Sequence, residues 1–246
     1  MKNLKLFLLG LMLCAALPSQ AWDRTRHDAI AYIAECNLTP RAKRNIARYL
    51  DHSIVYYASW MDKYRDTPEF RNVEHVQLVD TLRKGKTNCV VELMHAIDRL
   101  KDYRNMSDSL VRLNLMYVIH IVGDMHCPSH VKYPGCKSGR ADLNGKKMSY
   151  HAMWDWGVLD GAHGWSYSEY RLLLDTFSKR EKAGMAKGTP REWMYETAVA
   201  CRVIYDWQRA DGTYGKQFVT DTYLLPERQL ILASYRLAAV LNDLFG

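Results

Sequence analysis

Two histidine–aspartate pairs at helical spacing are the residues of this sequence best suited to chemistry. His120 and Asp124 lie four residues apart in the most apolar helical segment, and His151 and Asp155 repeat that spacing. Residues four apart on a helix project from the same face, so each pair can offer a nitrogen and an oxygen to one point. His130 follows a proline that ends the first helix. These five side chains predict a metal site.

A histidine or an aspartate in an apolar helix lowers the stability of the fold unless a partner compensates its charge and its polar atoms. Taking an unpaired charge out of water costs several kcal/mol, roughly. A single histidine or aspartate on a helix is far more often a cap, a solvated residue or a core hydrogen-bonding group than a ligand. Two such pairs and a further histidine favour the ligand interpretation instead, because divalent cations would compensate all of these side chains at once. Zinc accepts mixed nitrogen and oxygen ligands, so the pattern favours zinc.

Three upstream residues extend the candidate set. They are His27, Asp62 within Ser59-Trp60-Met61-Asp62, and His75. Together with the residues above, they make five histidines and three aspartates. One tetrahedral zinc uses four ligands, so this number fits about three metals that share one carboxylate.

The other four histidines fit a metal site less well. His52, His95 and His163 stand in ordinary polar surroundings and are predicted to be surface or structural residues. His126 lies between two ligand candidates, so it could orient them by hydrogen bonding without binding the metal itself. A plain position on the helix surface is the favoured interpretation.

The spacing of apolar residues predicts an all-α protein. Val111, Leu115, Val118, Ile119 and Val122 recur at intervals of three and four, which is typical of a helix. Similar spacing predicts helices near residues 24–36, 39–50, 53–64, 88–103, 107–123, 150–158, 166–178, 190–209 and 226–245. Strand-like alternation is scarce, and the connections are mostly short. This pattern favours a compact helical bundle.

Two longer loops interrupt the helices, around residues 84–88 and from Tyr133 to Asn144. No repeat or linker marks a second domain. We therefore expect residues 22–246 to form one domain.

The first 21 residues have the layout of a secretory signal peptide. Basic Lys2 and Lys5 precede an apolar run from Leu6 to Leu17, and small residues stand where cleavage before Trp22 would require them. The predicted product is exported, periplasmic or secreted, and soluble. The net charge would fall from +7 to +5, because the two lysines are the only charges removed. This mild excess is compatible with a polyanionic substrate.

The cysteines allow disulfides but show no zinc motif. Removal of the signal peptide would leave five of the six, Cys36, Cys89, Cys127, Cys136 and Cys201. At most two disulfides can form among them, and their pairing cannot be read from the sequence. None shows the C-x-x-C spacing of a thiolate zinc site, which favours histidine and aspartate as the ligands.

Several of these motifs together resemble one known family along the chain from Trp22 to the C-terminus. The motifs are Trp22 with His27, Ser59-Trp60-Met61-Asp62 with Arg65, His75, His120-Ile-Val-Gly-Asp124 continuing to Pro128 and His130, His151-Ala-Met-Trp-Asp155, and the closing segment from Gln229 to Asn242. In their order and spacing they resemble the zinc-dependent single-strand nucleases and 3′-nucleotidases, of which this chain looks like an exported bacterial member. That family shares its helical fold with bacterial zinc phospholipase C.

The resemblance implies a cluster of three zinc ions. Asp62, His75, His120 and Asp124 would hold the first ion. Asp124 would bridge to a second ion, which His27 and the free amine and carbonyl of Trp22 would also bind. His130, His151 and Asp155 would hold the third.

The resemblance also implies the reaction. A hydroxide shared by the first two ions would attack phosphorus, and the products would be 5′-phosphorylated nucleotides. Asp62 and Arg65 are the catalytic candidates, with Arg65 also contacting the phosphate. The partners would be single-stranded nucleic acid or 3′-nucleotides, and the protein would be a monomer without stable membrane insertion.

This sequence departs from the family pattern near the expected base pocket. Val76 and Leu78 stand where nucleases often have an aromatic residue and an aspartate, so a base-stacking platform is lost, and Val76 is the remaining candidate for a substrate contact. Cys127 and Ser129 replace the usual glutamine and leucine.

Two alternatives stay open. A zinc phospholipase C would use the same cluster on phospholipid head groups, and a non-catalytic zinc-binding relative would retain only the ligands.

Overall fold

The computed structural model of the chain describes residues 22–75, 77–78, 88–133 and 139–246. Within these residues the secondary structure is mainly helical. In chain order the helices are α1 (Arg24–Cys36), α2 (Pro40–Ile46), α3 (Ile54–Tyr57), α4 (Trp60–Lys63), α5 (Cys89–Leu100), α6 (Asp108–Asp124), α7 (Tyr150–Ala152), α8 (Val158–Ala162), α9 (Tyr167–Leu174), α10 (Lys179–Met185), α11 (Pro190–Cys201), α12 (Val203–Asp206), α13 (Lys216–Thr222) and α14 (Leu224–Phe245). The strands are β1 (Gln77–Leu78), β2 (Val131–Lys132), β3 (Arg140–Leu143), β4 (Lys146–Ser149) and β5 (Thr213–Tyr214).

Helix α6 is the element on which the site is built. Its residues from Leu115 to Asp124 are all buried, because α1, α3, α4, α5 and α14 pack around it. A helix that is apolar on every side belongs in the centre of a fold. Any polar side chain on its last turns is therefore held away from solvent.

The strands form two small sheets that join distant parts of the chain. Strands β1 and β2 are parallel, with Gln77 opposite Val131, so the segment after His75 runs beside the segment after His130. In the second sheet β3 lies between antiparallel β4 and parallel β5. Asn144 and Gly145 both have positive φ between β3 and β4, which suits a tight hairpin turn.

The buried apolar residues form two separate clusters. The large core contains residues of α1, α5, α6 and α14. The small core lies beneath the second sheet and consists of Ala141, Leu143, Tyr150, Met153, Trp154, Val158, Ile204, Tyr214, Phe218 and Val219. The 3₁₀ turn Pro128–His130 and the π-helical turn Met153–Gly157 contact each other where the two cores meet.

The all-α prediction is confirmed, with differences in detail. The predicted helix at 53–64 is broken into α3 and α4, and α10 and α13 were not predicted. The predicted loop from Tyr133 to Asn144 contains strand β3. A hairpin of this composition shows no apolar alternation, because β4 carries Lys146 and Lys147 on its exposed edge.

No helix in the described ranges is both long and apolar enough to cross a membrane. The predicted signal peptide, and all of the predicted loop at 84–88 except Asn88, lie outside the described residues.

Candidate metal centre

Asp124, the last residue of α6, lies at the centre of the site. It is fully buried, and three imidazoles approach its carboxylate. His120 Nε2 lies 3.0 Å and His75 Nδ1 2.9 Å from Oδ2. His27 Nε2, from α1, lies 3.2 Å from Oδ1. One carboxylate is therefore shared by side chains from three separate segments.

Asp62 supplies a second carboxylate to the same group. Its oxygens lie 3.7 Å from His75, 3.8 Å from His27 and 3.9 Å from His120. Arg65 donates from Nη2 to Asp62 Oδ1 at 2.9 Å and from Nε to the Asp62 carbonyl at 3.3 Å. We call Asp124, His27, Asp62, His75 and His120 the Asp124 cluster.

Backbone carbonyls orient the imidazoles of the site. His120 donates from Nδ1 to the Ala58 carbonyl at 2.7 Å, which directs Nε2 toward Asp124. His130 donates from Nδ1 to the His75 carbonyl at 2.9 Å. Fixing one ring nitrogen in this way sets the tautomer of the other, as is usual for histidines that bind metals.

The electrostatics of the Asp124 cluster favour a cation. Burial alone would lower the pKa of His120, but Asp124 and Asp62 raise it to about 9. Burial likewise opposes ionisation of Asp124, yet His120, His27 and His75 hold its pKa well below the usual range. The two carboxylates thus keep positive charge on an imidazole that water does not reach.

His130, His151 and Asp155 form a second group, the Asp155 cluster. His130 ends the 3₁₀ turn, His151 lies in α7, and Asp155 lies in the π-helical turn. His151 Nε2 is 3.2 Å from Asp155 Oδ2, and the two imidazole rings are 5.1 Å apart. Burial raises the pKa of Asp155, against the influence of His151, Ser129 and Cys127.

The two clusters are neighbours. His130 Nδ1 lies 4.0 Å from Asp124 Oδ1, and the His130 ring bonds to the backbone of His75. The structure therefore brings all eight of the histidines and aspartates predicted from the sequence into one region.

Several nitrogen and oxygen atoms of the two clusters have no hydrogen bond. Buried atoms without a hydrogen bond include the ring nitrogens of His27, Nε2 of His75, His130 and His151, and Oδ1 of Asp124. An unpaired buried polar atom costs about 1–3 kcal/mol. Zinc with nitrogen and oxygen ligands at ~2.0 Å would satisfy such atoms, and tetrahedral geometry then separates the ligands by roughly 3.3 Å. The distances around Asp124 are of this size, so these residues fit a metal.

Trp22 contacts the last turn of α6 next to Asp124. Its fully buried indole donates from Nε1 to the Gly123 carbonyl at 3.0 Å. Gly123 packs against the His27 ring. A Cβ atom at position 123 would lie only 2.9 Å from His27 Nδ1. Residue 22 is thus fixed beside Asp124.

His126 lies in a different environment from the one predicted. The favoured interpretation of this residue as a helix-surface histidine was wrong, because its side chain is fully buried. It donates from Nδ1 to the Val122 carbonyl at 2.7 Å and accepts from Arg236 Nη1 at 2.8 Å. Burial and the Arg236 charge lower its pKa to about 3, so it is neutral.

Arg236 is a residue that the sequence analysis missed. It is buried in α14, packs over the ring of Trp193, and also donates to Glu196 and to the Met185 carbonyl. An arginine inside the apolar pattern of the last helix was the signal available for it. Its bond to His126 holds the segment between Asp124 and His130.

Other predicted features have different outcomes. His52 and His95 are exposed, whereas His163 is partly buried, bonds to Glu227 and stacks on Trp165. Val76 lies outside the described residues, as does the side chain of Leu78.

The cysteines are unpaired in the described part of the chain. Cys36, Cys89, Cys127 and Cys201 are free thiols, and Cys136 lies outside the described residues. A disulfide therefore remains a prediction.

A groove of about 710 Å³ is lined by none of the residues of the two clusters. Its lining includes Trp60 and Tyr64, whose ring centroids are 4.7 Å apart, together with Phe70 and Met116. Residues 60 and 64 share a helix face that residue 62 does not, so the groove is separate from the metal centre.

Comparisons with known proteins agree on one family. The family model described as S1/P1 Nuclease matches residues 22–246. Endonuclease 4 of Arabidopsis thaliana is 23% identical over 268 residues, covering 92% of this chain and 89% of the relative. Endonuclease 2 of the same plant is 24% identical over 96% of this chain and 94% of its own. Nuclease S1 of Aspergillus oryzae is 26% identical over 74% of this chain and 70% of its own.

Proposed function

The chain belongs to the S1/P1 nuclease family and is a hydrolase of phosphodiester bonds, and from this premise we propose that it is an exported, zinc-dependent endonuclease and 3′-nucleotidase. Its substrate is single-stranded DNA or RNA, or 3′-nucleotides, and its products carry a 5′ phosphate. The observation that carries the proposal is the Asp124 cluster, in which three histidines meet one fully buried carboxylate whose Oδ1 has no hydrogen bond.

The metal ligands divide among three zinc ions in this proposal. Asp62, His75, His120 and Asp124 hold one ion, and Asp124 and His27 contribute to a second. His130, His151 and Asp155 hold the third. The buried donor atoms without partners support this division, and the 4.0 Å approach of His130 to Asp124 supports ions that are close neighbours.

Bound zinc would supply a water that ionises near pH ~7 and a positive charge for phosphate oxygens. The protein residues do the positioning. The Ala58 and His75 carbonyls fix the rings of His120 and His130, so each ring is held in one orientation with Nε2 available to a metal.

Arg65 is the proposed phosphate-binding residue. Its side chain is 26% exposed, and Asp62 fixes its guanidinium from one side. A planar guanidinium can donate two parallel hydrogen bonds to a phosphate, which is favourable where negative charge develops during cleavage. Asp62 acts in this proposal both as a ligand and as the group that aims Arg65.

Trp22 is proposed to bind zinc through its amine and carbonyl once the signal peptide is removed. An amine coordinates only when it is free and unprotonated, so a chain retaining residues 1–21 would lack two ligands. The indole bond to Gly123 supports the proposal because it fixes residue 22 next to Asp124. The uncleaved precursor is expected to be poorly active.

The main alternative is a zinc phospholipase C. Phospholipases of this type usually have glutamate as the last carboxylate ligand, so Asp155 favours the nuclease. A non-catalytic zinc-binding protein is disfavoured by Arg65 and by the number of ligands, because a structural zinc needs only four.

One set of measurements separates these functions. Residues 22–246 with Trp22 as the first residue are purified, and bound zinc is counted by mass spectrometry. Single-stranded DNA, RNA, 3′-AMP and phosphatidylcholine vesicles are then assayed with and without a chelator. We expect about three zinc ions per chain and chelator-sensitive cleavage of the nucleic acids.

Each result decides between the hypotheses. Fewer than two zinc ions per chain would overturn the metal-cluster proposal. Cleavage of phosphatidylcholine alone would establish the phospholipase, and bound zinc without any hydrolysis would establish the non-catalytic protein. Extending the chain by one residue before Trp22 should lower both zinc content and activity.

A further inference from the structure

The thiol of Cys127 lies inside the Asp155 cluster. Its side chain is fully buried, and Sγ lies 3.2 Å from Asp155 Oδ1 and 3.2 Å from Ser129 Oγ. One donor atom each from Cys127, His130 and Asp155 can be chosen so that all three lie within 4.8 Å of one another. Sulfur, nitrogen and oxygen donors thus surround one small volume.

A second observation points independently to a ligand at this place. The side chain of His130 is only 1% exposed, and its Nε2 has no hydrogen-bond partner. Its other nitrogen bonds to the His75 carbonyl, so the ring is already fixed with Nε2 left over. Nε2 of His151 is likewise buried without a hydrogen bond, although it lies 3.2 Å from Asp155 Oδ2.

Resting on the proposed function, we propose that Cys127 is a ligand of the third metal ion, which makes this a Cys-His-His-Asp site. On metal binding the S–H bond breaks, a metal–sulfur bond forms, and the proton is released to solvent. Zinc–sulfur bonds are ~2.3 Å and zinc–oxygen bonds ~2.0 Å, so tetrahedral geometry places the two ligand atoms roughly 3.5 Å apart. The 3.2 Å between Sγ and Asp155 Oδ1 is close to this distance.

A simpler role for Cys127 would be to donate a hydrogen bond that orients Asp155. Cys127 Sγ does donate to Asp155 Oδ1, but Ser129 Oγ donates to the same oxygen, so the orientation of Asp155 does not require the thiol. A thiol is also a weak donor, whereas a thiolate is among the strongest zinc ligands. The position of Cys127 is therefore explained better by coordination.

Coordination by Cys127 would change the properties of the third site. Four protein ligands complete the tetrahedral coordination of zinc, whereas three leave one position open. A sulfur ligand also favours soft metals. We expect this ion to be held more tightly than in a site of two histidines and one aspartate. We also expect cadmium and cobalt to bind there with a direct bond to sulfur.

Absorption spectroscopy of the cobalt- or cadmium-substituted protein tests the proposal. A metal–thiolate bond produces an intense ultraviolet charge-transfer band that nitrogen and oxygen ligands do not. Residues 22–246 are loaded with cobalt or cadmium, and metal is counted in the same samples. We expect the band in the wild-type protein and its loss in Cys127→Ser, which keeps a hydroxyl donor of similar size. Cys201→Ser, a buried thiol in α11, is the matched control and should retain the band.

The outcomes separate this inference from the proposed function. Three metals per chain without a charge-transfer band would overturn the role of Cys127 and leave the proposed function standing. Fewer than two metals would overturn the proposed function itself. If the charge-transfer band persists in folded Cys127→Ser, the metal-bound sulfur belongs to another cysteine and the inference is overturned.

A second set of variants covers the case in which Cys127→Ser does not fold. Serine is then placed singly at Cys36, Cys89, Cys136 and Cys201. Retention of the band in all four assigns it to Cys127 by elimination. Its loss in any one of them contradicts the proposal.

Discussion

The Asp124 cluster and the Asp155 cluster contain similar side chains on very different supports. Three of the five residues in the first, His27, His120 and Asp124, lie on α1 and α6, long helices whose other faces belong to the large core. The second rests on a 3₁₀ turn, a short helix and a π-helical turn over the small core. Long helices position a ligand through regular geometry, whereas short irregular turns depend on the packing beneath them. The metal content of the two clusters should therefore respond differently to the same kind of substitution.

The largest expected effect is loss of the shared carboxylate. Asp124→Ala removes a ligand from two of the proposed zinc ions, whereas Asp155→Ala removes one from the third only. Removal of a residue that merely supports a ligand typically costs 10–100-fold, so we expect Asp124→Ala to lower cleavage of single-stranded DNA by about 10³-fold or more. Metal counting should show a loss of about two ions, against one for Asp155→Ala. Normal activity in folded Asp124→Ala would refute the shared role.

A cavity in the small core should affect one cluster more than the other. Trp154 is buried next to Asp155 and packs against Trp207 and Phe218, with ring centroids 5.7 and 5.9 Å away. Trp154→Ala should lower the free energy of unfolding by roughly 3–5 kcal/mol, measured by urea denaturation. It should also weaken the third metal site while the first two stay occupied.

The matched control for this cavity lies in the large core. Leu100→Ala empties a fully buried position at the end of α5 and should cost roughly 2–5 kcal/mol without selective loss of any metal. Equal loss of all metals in Trp154→Ala would contradict the separate support of the two clusters.

The segment that joins the clusters should depend on Arg236. Arg236→Met removes the donor to His126 Nε2 and leaves this buried nitrogen without a partner. We expect the free energy of unfolding to fall by roughly 2–3 kcal/mol. Glu196→Gln is the control and should cost less than about 1 kcal/mol, because the Glu196 side chain is 57% exposed and solvent screens its charge. Similar losses in both variants would argue that the ion pair matters rather than His126.

The smallest expected effect concerns an ion pair between α1 and α8. Buried Arg26 of α1 donates to Asp160 of α8 at 2.5 Å and to Asp23 at 2.9 Å. Asp160 is 46% exposed, so Asp160→Asn should change the free energy of unfolding by only about 0–1 kcal/mol. Thermal unfolding at two salt concentrations measures this directly. A loss above about 2 kcal/mol would show that the contact between Arg26 and Asp160 is far stronger than an exposed ion pair.

The sequence was most informative where the geometry is regular. The four-residue spacing of His120 and Asp124 predicted their meeting, because α6 is a continuous helix at that point. The spacing of His151 and Asp155 also brought them together, although a π-helical turn lies between α7 and α8. Helical periodicity therefore located both pairs.

The sequence was least informative where structure depends on distant partners. His126 was assigned to a helix surface, but α6 has no exposed face near its end, and the partner of His126 is 110 residues away. Helix α10 was missed because it has no buried residue and therefore no apolar periodicity, and the capping box of Ser178 and Glu181 was the signal that could have located it. Cys127 was not considered as a ligand, because close cysteine spacing was the pattern sought.

The contact between Gly123 and His27 has a consequence for engineering this protein. In a library that randomises α6 and selects for function, position 123 should accept only glycine. Glycine is usually one of the most replaceable residues inside a helix, since alanine is favoured there by about 1 kcal/mol. Here even a methyl group would come within 2.9 Å of the imidazole, so the gain in helix stability would displace His27 from Asp124. Stabilising designs based on helix propensity alone should therefore leave this position unchanged.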